Sequence, residues 1–120
     1  MMKENASLGT CNIFDDLPSA PTKQELFNTL ASSSLPGREH CDVKIERIVS
    51  FGHQNPSDQW YDQSRDEWVM LVQGEAVLVF EPGNEIRLGP GDHVLIPAHR
   101  RHRVAWTTPE QPTIWLAVHF

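Results

Sequence analysis

From Cys41 onward the chain is a series of short segments rich in apolar and β-branched residues, separated by turn signals. Val43-Lys44-Ile45-Glu46-Arg47-Ile48-Val49 alternates apolar and polar residues in its first half. Glu67 to Val72 and Ala76 to Phe80 are two apolar runs joined at Gln73-Gly74-Glu75, the pattern of a hairpin. Glu85-Ile86-Arg87-Leu88 runs into Gly89-Pro90-Gly91-Asp92, where glycine supplies positive φ and proline fixes a turn. His93 to Ile96, His102 to Trp106 and Thr113 to Phe120 complete the series. Seven such segments, at turn spacings of roughly ten residues, describe an all-β sandwich or barrel.

Residues 1 to 40 differ, with Ser, Asn, Asp and Pro frequent, and are read as an N-terminal extension ahead of a barrel spanning 41–120. In Thr22-Lys23-Gln24-Glu25 the spacing is that of a capping box, and Leu26, Phe27 and Leu30 follow as an apolar stripe. A short helix over about 22–32 is predicted, ended by Ser32-Ser33-Ser34 and Pro36-Gly37. A cap contributes only about 1 kcal/mol, so such a helix must dock on something larger, covering an open end of the barrel or padding a dimer contact.

The 120 residues suffice for one domain with one core, and 39% hydrophobic with 22% charged residues is a globular balance. No apolar run approaches the roughly 20 residues that cross a bilayer, and Met1-Met2-Lys3-Glu4-Asn5 has no signal-peptide character, so a cytoplasmic protein without a membrane partner is expected. A net charge of −6 argues against nucleic acid, whose phosphates reward Lys and Arg. Cys11 and Cys41 lack the spacing of a zinc or redox motif and are read as free thiols. No Ser-His-Asp order, phosphate-binding glycine loop or reactive-cysteine signature is present, which disfavours nucleophilic catalysis.

Within the strand series, Glu67-x6-Gly74 is followed by Gly91-x5-Pro97 and then His102. This arrangement resembles the two signature motifs of the cupin superfamily, G-x5-H-x-H-x3/4-E-x6-G and G-x5-P-x-G-x2-H-x3-N. Trp60-Tyr61-Asp62-Gln63, Asp66-Glu67-Trp68 and the run from Ile96 to Trp106 are similar to a group of small single-domain bacterial cupins of unsettled function. The resemblance implies an all-β, cupin-type jelly-roll β-barrel, here with the short N-terminal helical segment. It also implies association into a homodimer.

In that family the two His and the Glu of the first motif and the His of the second ligate a metal. Glu67 and His102 match. With three residues before Glu67, the paired His positions fall on Tyr61 and Gln63; with four, they fall on Trp60 and Asp62. Neither register supplies a histidine, His99 stands at the second motif's Gly, and Trp106 stands at its Asn. The resemblance therefore implies a divalent-metal site built on Gln63, Glu67 and His102, with Asp62 and His99 as alternates.

One imidazole, one carboxylate and one amide oxygen form a harder set than three imidazoles, favouring Mn²⁺, Fe²⁺ or Mg²⁺; Zn²⁺ and Ni²⁺ remain candidates. Glu67, His102 and Tyr61 are the candidate catalytic groups. His99 and His102, three apart, can share a site only through a turn. His119 is a further pocket candidate, whereas His40, His53 and His93 are expected at or near the surface. Trp60 and Tyr61 are the aromatic pair expected at a pocket wall, and Arg100, Arg101 and Arg103 form a basic cluster suited to an anion or to surface ion pairs. The expected function is metal-dependent oxygenase, isomerase or lyase chemistry on a small polar molecule; non-catalytic small-molecule binding or sensing, and a purely structural dimer module, are the alternatives.

Overall fold

The computed structural model describes residues 9–33 and 42–120. His40, Cys41, Ser34 and the Pro36-Gly37 break lie outside the described residues. Eight strands run β1 (Leu26–Ser33), β2 (Val43–Ser50), β3 (Glu67–Gln73), β4 (Ala76–Phe80), β5 (Asn84–Leu88), β6 (His93–Ile96), β7 (His102–Thr107) and β8 (Thr113–His119). They form a five-stranded sheet of order β1-β2-β8-β3-β6 and a three-stranded sheet of order β5-β4-β7, all pairings antiparallel. This is the all-β jelly-roll expected from the sequence.

The predicted helix over 22–32 is absent, and Leu26–Ser33 is instead an edge strand paired with β2. Leu26 and Leu30, four apart, fall on one face of a helix, but strand alternation places such a pair on one face too. The capping box does not form. Thr22 Oγ1 donates to Gln24 O at 2.6 Å, and the Glu25 carboxylate accepts from the Ser50 hydroxyl on β2. Pairing with β2 thus overrides a local helix signal of about 1 kcal/mol. The segment before β1 is tied down by buried Arg47, which donates to Asn28 Oδ1 at 2.8 Å, to Ile13 O at 3.0 Å and to Asp15 O at 2.5 Å.

Alternation along the strands decides what faces inward. On β3, Glu67, Val69 and Leu71 are buried while Trp68 and Met70 are half-exposed. Register carries these rows across the sheet, pairing Leu71 with Trp115, Val69 with Ala117 and Glu67 with His119. Val69, Leu71, Ala76, Leu78, Phe80, Leu88, Ile96, Trp115 and Ala117 form one cluster, drawing on both sheets. The apolar rows fill one end of this interior. Where the row reaches Glu67 and His119, the lining becomes polar.

Gly74 makes the β3–β4 turn possible. Its φ is +94°, and a Cβ there would stand 2.7 Å from Thr113 Cα, so both backbone conformation and space require glycine.

Candidate active site

A cavity of roughly 110 Å³ opens between the sheets. Ile48, Val69, Leu78, Ile96, Val104 and Trp115 give it apolar walls, and Gln63, Glu67, His102, Glu46 and His119 supply its polar groups. Tyr61, together with Glu25 just before β1 and Phe27 within it, completes the lining.

The segment before β3 carries Tyr61 and Gln63 into place by pairing with β7. Tyr61 and His102 exchange backbone hydrogen bonds of 2.7 and 3.2 Å, and Gln63 O accepts from the His99 N–H at 2.7 Å. Asp66 and Phe120 exchange a further pair at 3.0 Å, and Asp66 Oδ1 accepts from the Ala98 N–H at 2.7 Å. These ties make Tyr61 and Gln63, rather than Trp60 and Asp62, the residues that line the cavity.

His102 is 5% exposed, and its ring is tilted against those of Tyr61 and Phe80, with centroids 5.7 and 6.0 Å away. Its Nδ1 meets Arg100 O at 2.8 Å; a carbonyl only accepts, so Nδ1 is the donor, and in the neutral ring Nε2 has the lone pair. That Nε2 lies 3.8 Å from Glu67 Oε1, beyond a direct hydrogen bond. Burial raises the Glu67 carboxyl above the usual range; His119 and His102 nearby, and a hydrogen bond from the Gln63 amide, oppose the shift, and Glu46 adds to it.

The other candidates lie elsewhere. Asp62 Oδ1 and His99 Nδ1 pair at 2.8 Å with both side chains exposed, outside the cavity. Trp60, expected with Tyr61 at a pocket wall, lines a separate surface groove that Tyr61 also borders, with Arg103 5.5 Å above its ring, and does not line this cavity. Arg101 pairs with Glu81 at 2.7 Å, and Arg100 donates to Glu81 O at 2.7 Å; none of Arg100, Arg101 and Arg103 lines the cavity. His93 is exposed against Trp68, while His53 is half-buried, bonded to the Phe51 N–H and Thr22 O at 2.8 and 2.9 Å.

Two cavity acids escaped the reading from sequence. Glu46 looked like the polar half of an alternating strand, yet it shares a face with Ile48 and Ser50, which point inward. An acid two residues from an inward isoleucine was the available signal. Glu25 was assigned to a helix cap.

The donors suit a divalent ion in kind. Glu67 supplies a carboxylate, His102 a bare Nε2 and Gln63 an amide oxygen, all on one cavity. As the side chains stand, no three His, Cys, Asp or Glu groups among the described residues are gathered to hold an ion.

Among curated proteins, none matches the chain significantly. Solved structures do. A Ralstonia eutropha JMP134 protein described as a candidate mannose-6-phosphate isomerase is 42% identical, with a TM-score of 0.80, over 93% of this chain and 97% of its own. A cupin superfamily protein from Desulfitobacterium hafniense DCB-2 is 23% identical, with a TM-score of 0.69, over 100% of this chain and 98% of its own. A DMSP lyase from Ruegeria pomeroyi DSS-3 is 26% identical, with a TM-score of 0.54, over 64% of this chain and 37% of its own. The family model described as "Cupin domain" matches residues 48–119, a stretch that holds Gln63, Glu67 and His102. With that match over most of the chain, on a jelly-roll whose motif residues Glu67 and His102 meet in one cavity, the protein belongs to the cupin family.

Proposed function

We propose that this cupin holds a divalent metal ion at Glu67 and His102, with Gln63 as a neutral oxygen donor, and acts on a small polar molecule by isomerase, lyase or oxygenase chemistry. The observation that carries the reading is the approach of His102 Nε2 to Glu67 Oε1, 3.8 Å apart at the two matching motif positions, with both side chains buried and lining one cavity. A bound ion supplies Lewis-acid polarisation of a substrate oxygen. The chain's own groups do the rest: Arg100 O fixes the His102 ring, Gln63 steadies Glu67, and the Tyr61 hydroxyl, 3.4 Å from Asn55 Nδ2, stands at the cavity's exposed side as a proton donor.

Size and charge narrow the substrate. Drug-sized ligand pockets start at about 300 Å³; at roughly 110 Å³ this cavity suits a molecule of a few heavy atoms. Three carboxylates, Glu25, Glu46 and Glu67, line it, and among the described residues no Lys or Arg does. That lining favours a neutral or cationic molecule over a phosphate ester, although the Ralstonia relative's description names a sugar phosphate. The test is a turnover screen by NMR, with Mn²⁺ or Fe²⁺, across small polyols, amino acids, amines and phosphate esters. Turnover of a neutral or cationic compound, lost in Glu67→Ala and His102→Ala, is the expected result; turnover that persists in both variants contradicts it.

Binding without turnover is favoured by one observation, that Tyr61 and Gln63 occupy the positions of the motif's paired histidines. Saturable binding of a small molecule, with no conversion at excess metal, would establish that reading instead.

A further inference from the structure

Besides Glu67 and His102, the cavity is lined by a second imidazole, His119, and by two further carboxylates, Glu46 and Glu25, that neither signature motif includes. His119 on β8 is the register partner of Glu67 on β3, and both line the cavity. Directly opposed residues on adjacent antiparallel strands have Cβ atoms about 5 Å apart, so these two side chains are immediate neighbours.

The hydrogen bonding of His119 fixes which of its nitrogens is free. Its Nε2 lies 2.8 Å from Glu46 Oε1, and Glu46 Oε2 lies 3.3 Å from Lys44 Nζ. A carboxylate paired with an ammonium accepts from the imidazole, so Nε2 is the donor, and in the neutral ring Nδ1 is the nitrogen with the lone pair. No hydrogen bond reaches that Nδ1 among the described residues. His102 shows the same logic with the nitrogens exchanged, Nδ1 held by Arg100 O and Nε2 bare. Metal-ligating histidines nearly always donate the second ring N–H to a carboxylate or a backbone carbonyl. Here one imidazole has each kind of partner, and Glu67 adjoins both.

We propose that His119, oriented by Glu46, is an imidazole ligand through Nδ1 to the divalent ion held at Glu67 and His102. It supplies the nitrogen donor missing at Tyr61 and Gln63. The inference rests on the metal reading of the site given above. Among the described residues Glu67, His102 and His119 are not gathered as a closed site, but β3 and β8 place Glu67 and His119 opposite each other on the strands that line the cavity.

Titration calorimetry with Co²⁺ on metal-stripped protein tests it, using wild type, His102→Ala, His119→Ala and Glu46→Gln, each checked for folding by circular dichroism. Wild type is expected to bind one equivalent. Glu46→Gln should weaken binding roughly tenfold, the scale of an orienting carboxylate, and His119→Ala should weaken it more. Should His119→Ala fail to fold, ¹⁵N NMR of wild-type imidazoles on Zn²⁺ addition decides: coordination shifts are expected at His119 Nδ1 and His102 Nε2. Metal bound with His119 signals unmoved, or His119→Ala binding as tightly as wild type while His102→Ala does not, overturns this inference alone. Wild type that binds neither ion overturns the metal reading and this inference with it.

Discussion

Glu67 puts a carboxyl among apolar walls, and its titration should register in stability. Burial holds its folded-state pKa above the ordinary value of 4.5, so the folded protein binds more protons than the unfolded chain as pH rises from that value. Its contribution is therefore fully present below the ordinary glutamate pKa and is lost as pH climbs through the raised one. In metal-free protein, urea melts should show Glu67→Gln gaining stability relative to wild type as pH rises through that window. A difference that is constant with pH contradicts the burial argument. His99 makes a different point about single residues. Its φ of +65° is the left-handed conformation, which explains why the cupin motif has glycine there. The Asp62 contact it makes is a hydrogen bond between two exposed side chains, of the kind worth about 1 kcal/mol or less, so it offsets that strain only in part.

At the level of elements, the β3–β4 turn is the least replaceable feature. Gly74→Ala would place a Cβ against the Thr113 backbone at a φ of +94°, and a loss of ~2 kcal/mol or more is expected in chemical denaturation. A loss under about 0.5 kcal/mol would show that β8 can retreat from the turn. Strand placement was largely readable from sequence, because turn residues and apolar runs coincide in this chain: His93 to Ile96 was bounded as observed, and β2, β3, β4, β5, β7 and β8 to within a residue. β1 was misread because Leu26 and Leu30 satisfy both periods and only the partner strand decides between them. Motif spacing located Glu67 and His102, and left open whether Tyr61 and Gln63 or their neighbours face inward. That choice depends on backbone bonds to β7 and to His99, contacts across about 40 residues that no local pattern encodes. His119 is a pocket candidate from sequence and does line the cavity, whereas Glu46 reaches it only through the pairing of β2 with β8, which no local pattern encodes.

On the scale of the whole molecule, one face of the five-stranded sheet carries an apolar row. Ile45, Val118, Trp68 and Leu95 are successive register partners on β2, β8, β3 and β6, with Leu95 55% exposed. Met70 and Leu116 pair beside them. A second copy could cover this row, and the expected outcome in sedimentation is a dimer mass for wild type and a monomer mass for Leu95→Lys; a monomeric wild type contradicts it. No helix among the described residues is long and apolar enough to cross a membrane. The functional account depends on the cavity between the sheets holding an ion. The most direct test is elemental analysis of untagged wild type, Glu67→Ala and His102→Ala, each equilibrated with Mn²⁺ or Fe²⁺ and desalted. Close to one metal per chain in wild type, with little in either variant, is the predicted result; wild type without metal, or variants that keep it, would contradict the account.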